Sequence, residues 1–502
     1  MATSLQPVAS GSAQRSARLD PSDGRSWPDP GYRPSLPSTC SFRSGITSVI
    51  IVTRAEEQGA AQQVGNQDAL ASLISTLGST VPHSNRIQPW PATSALMVAE
   101  VVGTGVLALG GAFSKLGWVF GFAVLTWGYI INVFTSLLLN SVHLAMPDVV
   151  TVGDALDRLM GRQAGIVGYF VLYTYIFLVM SNYLIVLATA VQSVFYSTLI
   201  CRSAAAAIGC ALLLPGNQFR TLAGLTTLSG ISFLTILITI AVCLWTLSET
   251  SAKGGAVCKG GAAEGDDMAP GFLDYNAAAC AFIFAYSGQA IMLEMQAEMK
   301  APADFPKAVW CSFSTLMVVY ALVASAAFYV CGAATPGELL DVLPNTPRQT
   351  AVGILMVIHL IVTYTILQQV ITRAVCLHFW PHALGQGVKA RAVWCSTSTG
   401  IMGAAYIVAN TIPLFSDIVN ITGGLLSTQV GLIFPSSLYL ALQRYHPELV
   451  SAGCRRFLMS ACCCAALCMG LYFTFVGTVS SVALMAQHAA DGVNAPFTCS
   501  PQ

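Results

Sequence analysis

Eleven stretches of this chain are apolar enough to lie in a lipid bilayer, where a helix needs about 20 such residues to cross. They fall near 92–113, 118–145, 164–196, 203–214, 222–246, 275–297, 308–332, 351–373, 393–411, 414–441 and 457–485. The fourth is short, and the ninth and tenth are divided only by Thr411, Ile412 and Pro413. Only 9% of the 502 residues are Asp, Glu, Lys or Arg, against about 25% in a soluble globular protein. So few charges cannot solvate the surface of a fold this large, whereas helices facing lipid need none. The expected fold is an all-α, multi-pass membrane protein. Its 23 basic and 23 acidic residues cancel, so no basic field points to nucleic acid.

Residues 1–90 are a different material, rich in Ser, Pro, Gly, Gln and Ala, and they hold seven of the 23 Lys and Arg. They read as a disordered cytosolic tail with one short helix around Ala55–Leu77, ahead of a membrane domain over 91–502. A Ser- and Arg-rich opening also suits a transit peptide, but such peptides avoid acids, and Asp20, Asp23 and Asp29 come early. Loop charge sets the direction. With the N-terminus inside, the inner loops carry eleven basic residues: Arg158, Arg162, Arg220, Lys300, Lys307, Arg373, Lys389, Arg391, Arg444, Arg455 and Arg456. The outer side carries five, Lys115, Arg202, Lys253, Lys259 and Arg348. The expectation is a cytosolic N-terminus and an outer C-terminus. The plasma membrane is the expected host, with the vacuolar or plastid membrane as alternatives.

The sixteen cysteines include no CxxC pair followed by a second pair or by histidines, so no metal site is expected. Most sit in apolar runs, where Cys is a small hydrophobe. Cys462, Cys463, Cys464 and Cys468 read as small residues of the last span, with palmitoylation as the alternative. Cys201, Cys258 and Cys331 fall on the outer side and are candidates for an external disulfide. His378 and His382 have i,i+4 spacing, but Pro381 lies between them and two ligands do not make a zinc site.

Two of the spans carry a glycine motif at mid-membrane. Span one contains Gly103-Thr104-Gly105, and span six contains Tyr286-Ser287-Gly288 in the corresponding place. Glycine removes the bulk that keeps a helix regular, and Ser or Thr can satisfy the backbone groups that a break frees. Either motif alone would read as a helix-packing surface. Together they open two five-helix blocks, spans one to five and six to ten. Broken helices at matching places in two halves point to a midplane substrate site. Five is odd, so the second block must run through the membrane in the opposite sense, giving a 5+5 inverted repeat plus one extra helix. A broken helix offers N–H groups to an anion at the start of its second half, and C=O groups to a cation at the end of its first. An amino acid carries one of each charge.

Carboxylates inside a bilayer cost about 2.5–3.5 kcal/mol on insertion scales, so they normally face a cavity or a partner. Glu100 lies one turn before the break in span one. Three roles are open to it: proton acceptor, selector of cationic side chains, or structural hydrogen bond. Glu294 lies two turns beyond the break in span six and is open to pairing or gating. Glu298, four residues on, reads as an anchor at the inner interface near Lys300 and Lys307, and Asp417 as an interfacial residue. His359 sits well inside span eight, either as a packed, hydrogen-bonded residue or as a proton relay. Asn182 and Tyr183 in span three and Thr363 with Thr365 in span eight are candidates to line the cavity. The threonines would suit sodium, or ordinary interhelical bonds.

Several of these segments resemble the amino acid/auxin permease family, most closely its plant amino acid permeases and lysine/histidine-type transporters. Val101-Val-Gly-Thr-Gly-Val-Leu-Ala-Leu109, running on to Gly117-Trp118, is similar to that family's first span. Phe284-Ala-Tyr-Ser-Gly-Gln289 through Leu293-Glu-Met-Gln296 is similar to its sixth. Ile412-Pro-Leu-Phe-Ser-Asp-Ile418 with Gly423-Gly424 and Phe434-Pro435 is similar to its tenth. The likeness runs in order over roughly residues 92–485. It implies eleven helices in the inverted-repeat fold of the wider amino acid transporter superfamily, and proton-coupled uptake of amino acids. Two departures stand out. Gly110 and Gly111 replace a Pro or Ala and a bulky aromatic, which implies a roomier pocket, and Glu100 replaces a small residue.

The expected function is therefore a secondary amino acid transporter. Substrate is held by Gly103, Thr104, Gly105, Tyr286, Ser287, Gly288 and Asn182, and coupling or gating falls to Glu100, Glu294 and His359. No cofactor is expected beyond a proton gradient, with a sodium-coupled or auxin-like acid transporter of the same fold as the alternative. An enzyme would want a Ser–His or HExxH constellation or a phosphate loop, and a channel a filter loop or ring of charge. The sequence contains none of these, and it does not fix an oligomeric state.

Overall fold

The computed structural model describes residues 88–198, 200–218, 225–252, 270–343, 346–385, 387–412, 415–447 and 453–490. The tail, with the helix expected at 55–77, and Cys258 lie outside them. Among the described residues, nine helices are long and apolar enough to cross a membrane. Those nine, with one further short helix, make eleven spans for two physical reasons. The first is α2 (Gly105–Ala145), which runs for 41 residues, about 60 Å at 1.5 Å per residue and twice the hydrocarbon thickness. Gly117 breaks it at φ 69°, a left-handed conformation that costs glycine nothing. The portion before Gly117 is the second half of span one, whose first half is the 12-residue α1 (Trp90–Val101); the portion after it is span two. The second reason is α5 (Arg202–Asn217), span four, whose 16 residues fall short of a full crossing and outside those nine.

The remaining spans follow in chain order. α4 (Arg162–Val194) is span three and α6 (Leu225–Ala252) span five. Span six is α7 (Phe272–Tyr286) followed by α8 (Met292–Ala297). α9 (Phe305–Cys331), α10 (Pro347–Phe379) and α11 (Val388–Thr411) are spans seven to nine. Span ten joins α12 (Phe415–Thr422) to α13 (Phe434–Tyr445), and span eleven joins α14 (Cys454–Tyr472) to α15 (Thr478–Ala490). The remaining helix, α3 (Val152–Met160), is an amphipathic segment between spans two and three. Its start is capped by Thr151, whose hydroxyl accepts from the Asp154 N–H at 3.0 Å. Nine residues with three charges do not register as an apolar run, so this helix is not anticipated.

The inversion of the two blocks is visible in the backbone. Gln88, just before span one, pairs with Met299, just after span six. The Lys300 N–H donates to the Gln88 carbonyl at 2.8 Å. The beginning of one broken span therefore meets the end of the other, so the two run antiparallel.

Span ten is widened by two π-helical stretches, Gly423–Ser427 and Gln429–Ile433. A β-carbon added at Gly423 would sit 2.0 Å from the Cys280 carbonyl oxygen of α7, so span ten crosses span six at backbone contact and glycine is required there. Large apolar side chains such as Val119, Phe170, Trp245 and Phe457 remain exposed on the outside of the helices, as a lipid-facing surface needs. Cys201 and Cys331, two of the three candidates for a disulfide, are each disulfide-bonded.

Candidate functional site

The two breaks meet. α1 ends at Val101 and α2 begins at Gly105; α7 ends at Tyr286, and a 3-10 turn, Gln289–Ile291, leads into α8. A β-carbon on Gly105 would lie 2.8 Å from the Ala285 Cα, and one on Gly288 would lie 2.5 Å from a methyl of Val101. Both glycines are therefore needed for the broken segments to come this close. A β-carbon on Gly103 would come within 3.1 Å of the Tyr183 hydroxyl.

Freed backbone groups at the breaks are taken up by side chains from other spans. The Tyr320 hydroxyl of α9 lies 2.7 Å from the Ala285 carbonyl and 3.0 Å from the Val101 carbonyl, joining the C-terminal ends of both first halves. The Tyr175 hydroxyl donates to the Ser287 carbonyl at 3.1 Å. The Asn182 amide donates to the Thr104 hydroxyl at 2.8 Å. Gln289 is fully buried; its side chain donates to Asn132 Oδ1 at 2.7 Å and to the Thr135 hydroxyl at 3.2 Å, while its own oxygen accepts from the Gly288 N–H.

Between the breaks lies a cavity of about 60 Å³, lined by Glu100, Val101, Gly103, Thr104, Gly105, Tyr175, Ile176, Val179, Tyr183, Phe284, Ser287, Gly288, Ala290, Ile291 and Leu367. One wall is the start of α2, where the first N–H groups have no intrahelical partner and the helix dipole is positive. Thr104 makes no side-chain cap there, and the Leu107 N–H donates to the Thr104 carbonyl at 3.1 Å. Another wall carries Glu100, the one charged side chain among the lining residues. The rest is apolar, apart from the hydroxyls of Thr104, Ser287, Tyr175 and Tyr183. Such a space suits a small zwitterion: donors for an anion on one side, a carboxyl group on another, and a greasy pocket for a side chain.

Five of the seven residues expected to hold substrate line this cavity: Gly103, Thr104, Gly105, Ser287 and Gly288. Asn182 lies behind the wall and acts on it through Thr104. The Tyr286 ring is fully buried and faces away, packed edge-on against Tyr320 at 5.0 Å and covering Gly128. Of the three coupling candidates only Glu100 reaches the cavity. Glu294 is buried in α8, outside the lining. His359 is buried at the contact of spans five and eight, with Nδ1 2.8 Å from the Ser232 hydroxyl and 3.0 Å from the Ser232 carbonyl. Thr363 hydrogen-bonds to the His359 carbonyl within its own helix, and neither it nor Thr365 lines the cavity.

One expectation needs correction. Gly110 and Gly111 do not enlarge the pocket. Added β-carbons would strike Ala327 Cβ at 2.9 Å and the Pro336 carbonyl at 2.8 Å, so these glycines admit span seven and the loop that follows it. Near Glu298, at the end of span six, Lys307 pairs with Asp304 at 2.7 Å. The residue that sequence reasoning missed is Gln289. The available signal was an uncharged polar residue directly after a mid-membrane glycine, with Asn132 at mid-depth in span two to receive it.

Residues 87–482 match the family described as transmembrane amino acid transporter protein. The chain belongs to that family. The N amino acid transport system protein of Neurospora crassa is 22% identical over 82% of this chain and 88% of its own length. The amino acid transporter AVT1H of Arabidopsis thaliana is 23% identical over 69% of this chain and 80% of its own. Among solved structures, MhsT in complex with L-phenylalanine is similar at 13% identity and a TM-score of 0.49, covering 79% of this chain and 97% of that one. The protein is a multi-pass membrane transporter, not an enzyme.

Proposed function

We propose that this transporter is a secondary active amino acid carrier that moves its substrate together with a proton. The observation that carries the reading is the shared cavity, which has the positive start of α2 and the Glu100 carboxyl in one enclosure. The substrate carboxylate binds the N–H groups around Gly103–Gly105, and the side chain enters the apolar space between Val179, Ile291 and Leu367. Glu100 has no hydrogen-bond or ion-pair partner among the described residues, which favours a group that takes up and gives away a proton over a structural one. The transporter sits in the plasma membrane with its N-terminus in the cytosol. Disulfides at Cys201 and Cys331 support that orientation, since disulfides persist in non-cytosolic compartments.

The test is uptake of labelled amino acids into proteoliposomes under imposed proton or sodium gradients. Accumulation driven by an inward proton gradient is expected. Accumulation that follows sodium alone would replace the proton with sodium as the coupling ion, and accumulation under neither would remove the reading.

A further inference from the structure

The loop after span seven is pressed into the outer end of the molecule and fastened there by one buried carboxyl. Glu338 is only 4% exposed. Its Oε2 accepts from the Thr189 hydroxyl of α4 at 3.2 Å, and its Oε1 is buried without a hydrogen-bond partner among the described residues. Just before it, Pro336 and Gly337 lie on Gly111 at distances that no side chain there would allow, and Thr335 lies close over Gly110. Gly337 also faces Ser416 at the start of span ten. The loop thus touches span one's second half, span three and span ten together. It sits on the side of the molecule that carries the disulfide-bonded Cys201 and Cys331.

We propose that Glu338 is a proton-operated clasp. With a proton on its carboxyl the loop stays docked across spans one, three and ten, and loss of that proton releases it and opens the outer end. The neighbouring charges fit this role. Asp341, at the surface of the same loop, adds a like charge, and Arg202 at the start of α5 acts on both carboxyls without closing an ion pair. Charges on adjoining elements are already engaged: Lys115 with Asp274, Arg348 with Glu249, and His488 with Asp417. Burial first, and then the Asp341 charge, holds the Glu338 carboxyl well above the usual carboxylate range. A lifted, solvated loop would restore the ordinary value. The docked state therefore binds the proton more tightly, so docking is complete in acid and is lost as pH rises through the docked value. Between the two values the docking constant falls about tenfold per pH unit. An acidic outer medium closes the loop; an alkaline one opens it.

Hydrogen exchange of the full-length protein in nanodiscs, followed on peptides covering 332–343 and corrected for intrinsic pH effects, tests the clasp without reference to transport. In the wild type, protection of this loop is expected to fall about tenfold per pH unit across the transition. Glu338→Gln, permanently neutral, is expected to stay protected throughout. Thr189→Val, which removes the one hydrogen bond to the carboxyl, is expected to lower protection at every pH. Unchanged protection in spans three and six of each variant reports that the fold is intact. A wild-type pH response that persists in Glu338→Gln, or a loop whose protection does not vary with pH, would overturn the proposal.

Discussion

Tyr320 reaches the Ala285 carbonyl from span seven at 2.7 Å, and the same hydroxyl lies 3.0 Å from the Val101 carbonyl. One side chain thus stitches together the two places where the helices stop. Its single proton serves both carbonyls, which belong to the ends of α1 and α7. Removing it leaves two buried acceptors without a donor, at a cost of about 1–3 kcal/mol. Tyr320→Phe is therefore expected to lower the thermal unfolding midpoint in detergent and to weaken transport, with the aromatic packing against Tyr286 retained. A stability equal to wild type would show that water replaces the hydroxyl.

Asn182 acts on the cavity only through Thr104. Asn182→Ala and Thr104→Val each remove the same 2.8 Å bond, so their effects on substrate KM should not add. A double-mutant cycle is expected to return a coupling of about 1 kcal/mol. Additive effects would mean that the two residues serve separate ends.

How far the sequence discloses this arrangement follows from what each feature depends on. Apolar runs and the glycine motifs are local, so the eleven spans and both breaks are readable, down to the short span four. What fills the breaks is not local. Tyr320, Tyr175 and Asn132 come from spans seven, three and two, and nothing in their own neighbourhoods marks them among many similar residues. Tyr286 belongs to the motif yet points away, since as the last residue of α7 it packs on Tyr320 and Gly128. Gly110 and Gly111 look like missing bulk beside a pocket, but the space they leave is filled by Ala327 and Pro336. His359, a candidate relay from its depth alone, is engaged by Ser232.

Gly423→Ala is expected to prevent folding or lower the unfolding midpoint severely, because the new methyl would meet the Cys280 backbone at 2.0 Å and neither helix can yield cheaply. Gly403→Ala, where nothing lies within 4 Å, is expected to be neutral or stabilising by up to about 1 kcal/mol. Comparing the two by thermal unfolding separates contact from propensity. Equal effects would contradict the backbone crossing of spans six and ten.

Glu298, beside the Gln88–Met299 bridge, has its carboxyl pushed up by burial to about 7. A carboxyl with a raised value stabilises the folded form at low pH, and that stability is lost as pH rises through the folded value. The wild type should lose roughly 3 kcal/mol of stability as pH rises from the ordinary carboxylate range to about 7. Glu298→Gln should flatten that part of the profile. The measurement is the unfolding midpoint against pH for both proteins, and an unchanged slope in the variant would place the titration elsewhere.

Glu100 is proposed to couple a proton to an amino acid bound at the two breaks. That coupling is tested most directly by Glu100→Gln in proteoliposomes, measuring gradient-driven accumulation alongside exchange of labelled for unlabelled substrate. The variant is expected still to exchange substrate but no longer to accumulate it when an inward proton gradient is imposed. Accumulation by the variant at the wild-type level, with the wild-type dependence on pH, would contradict it.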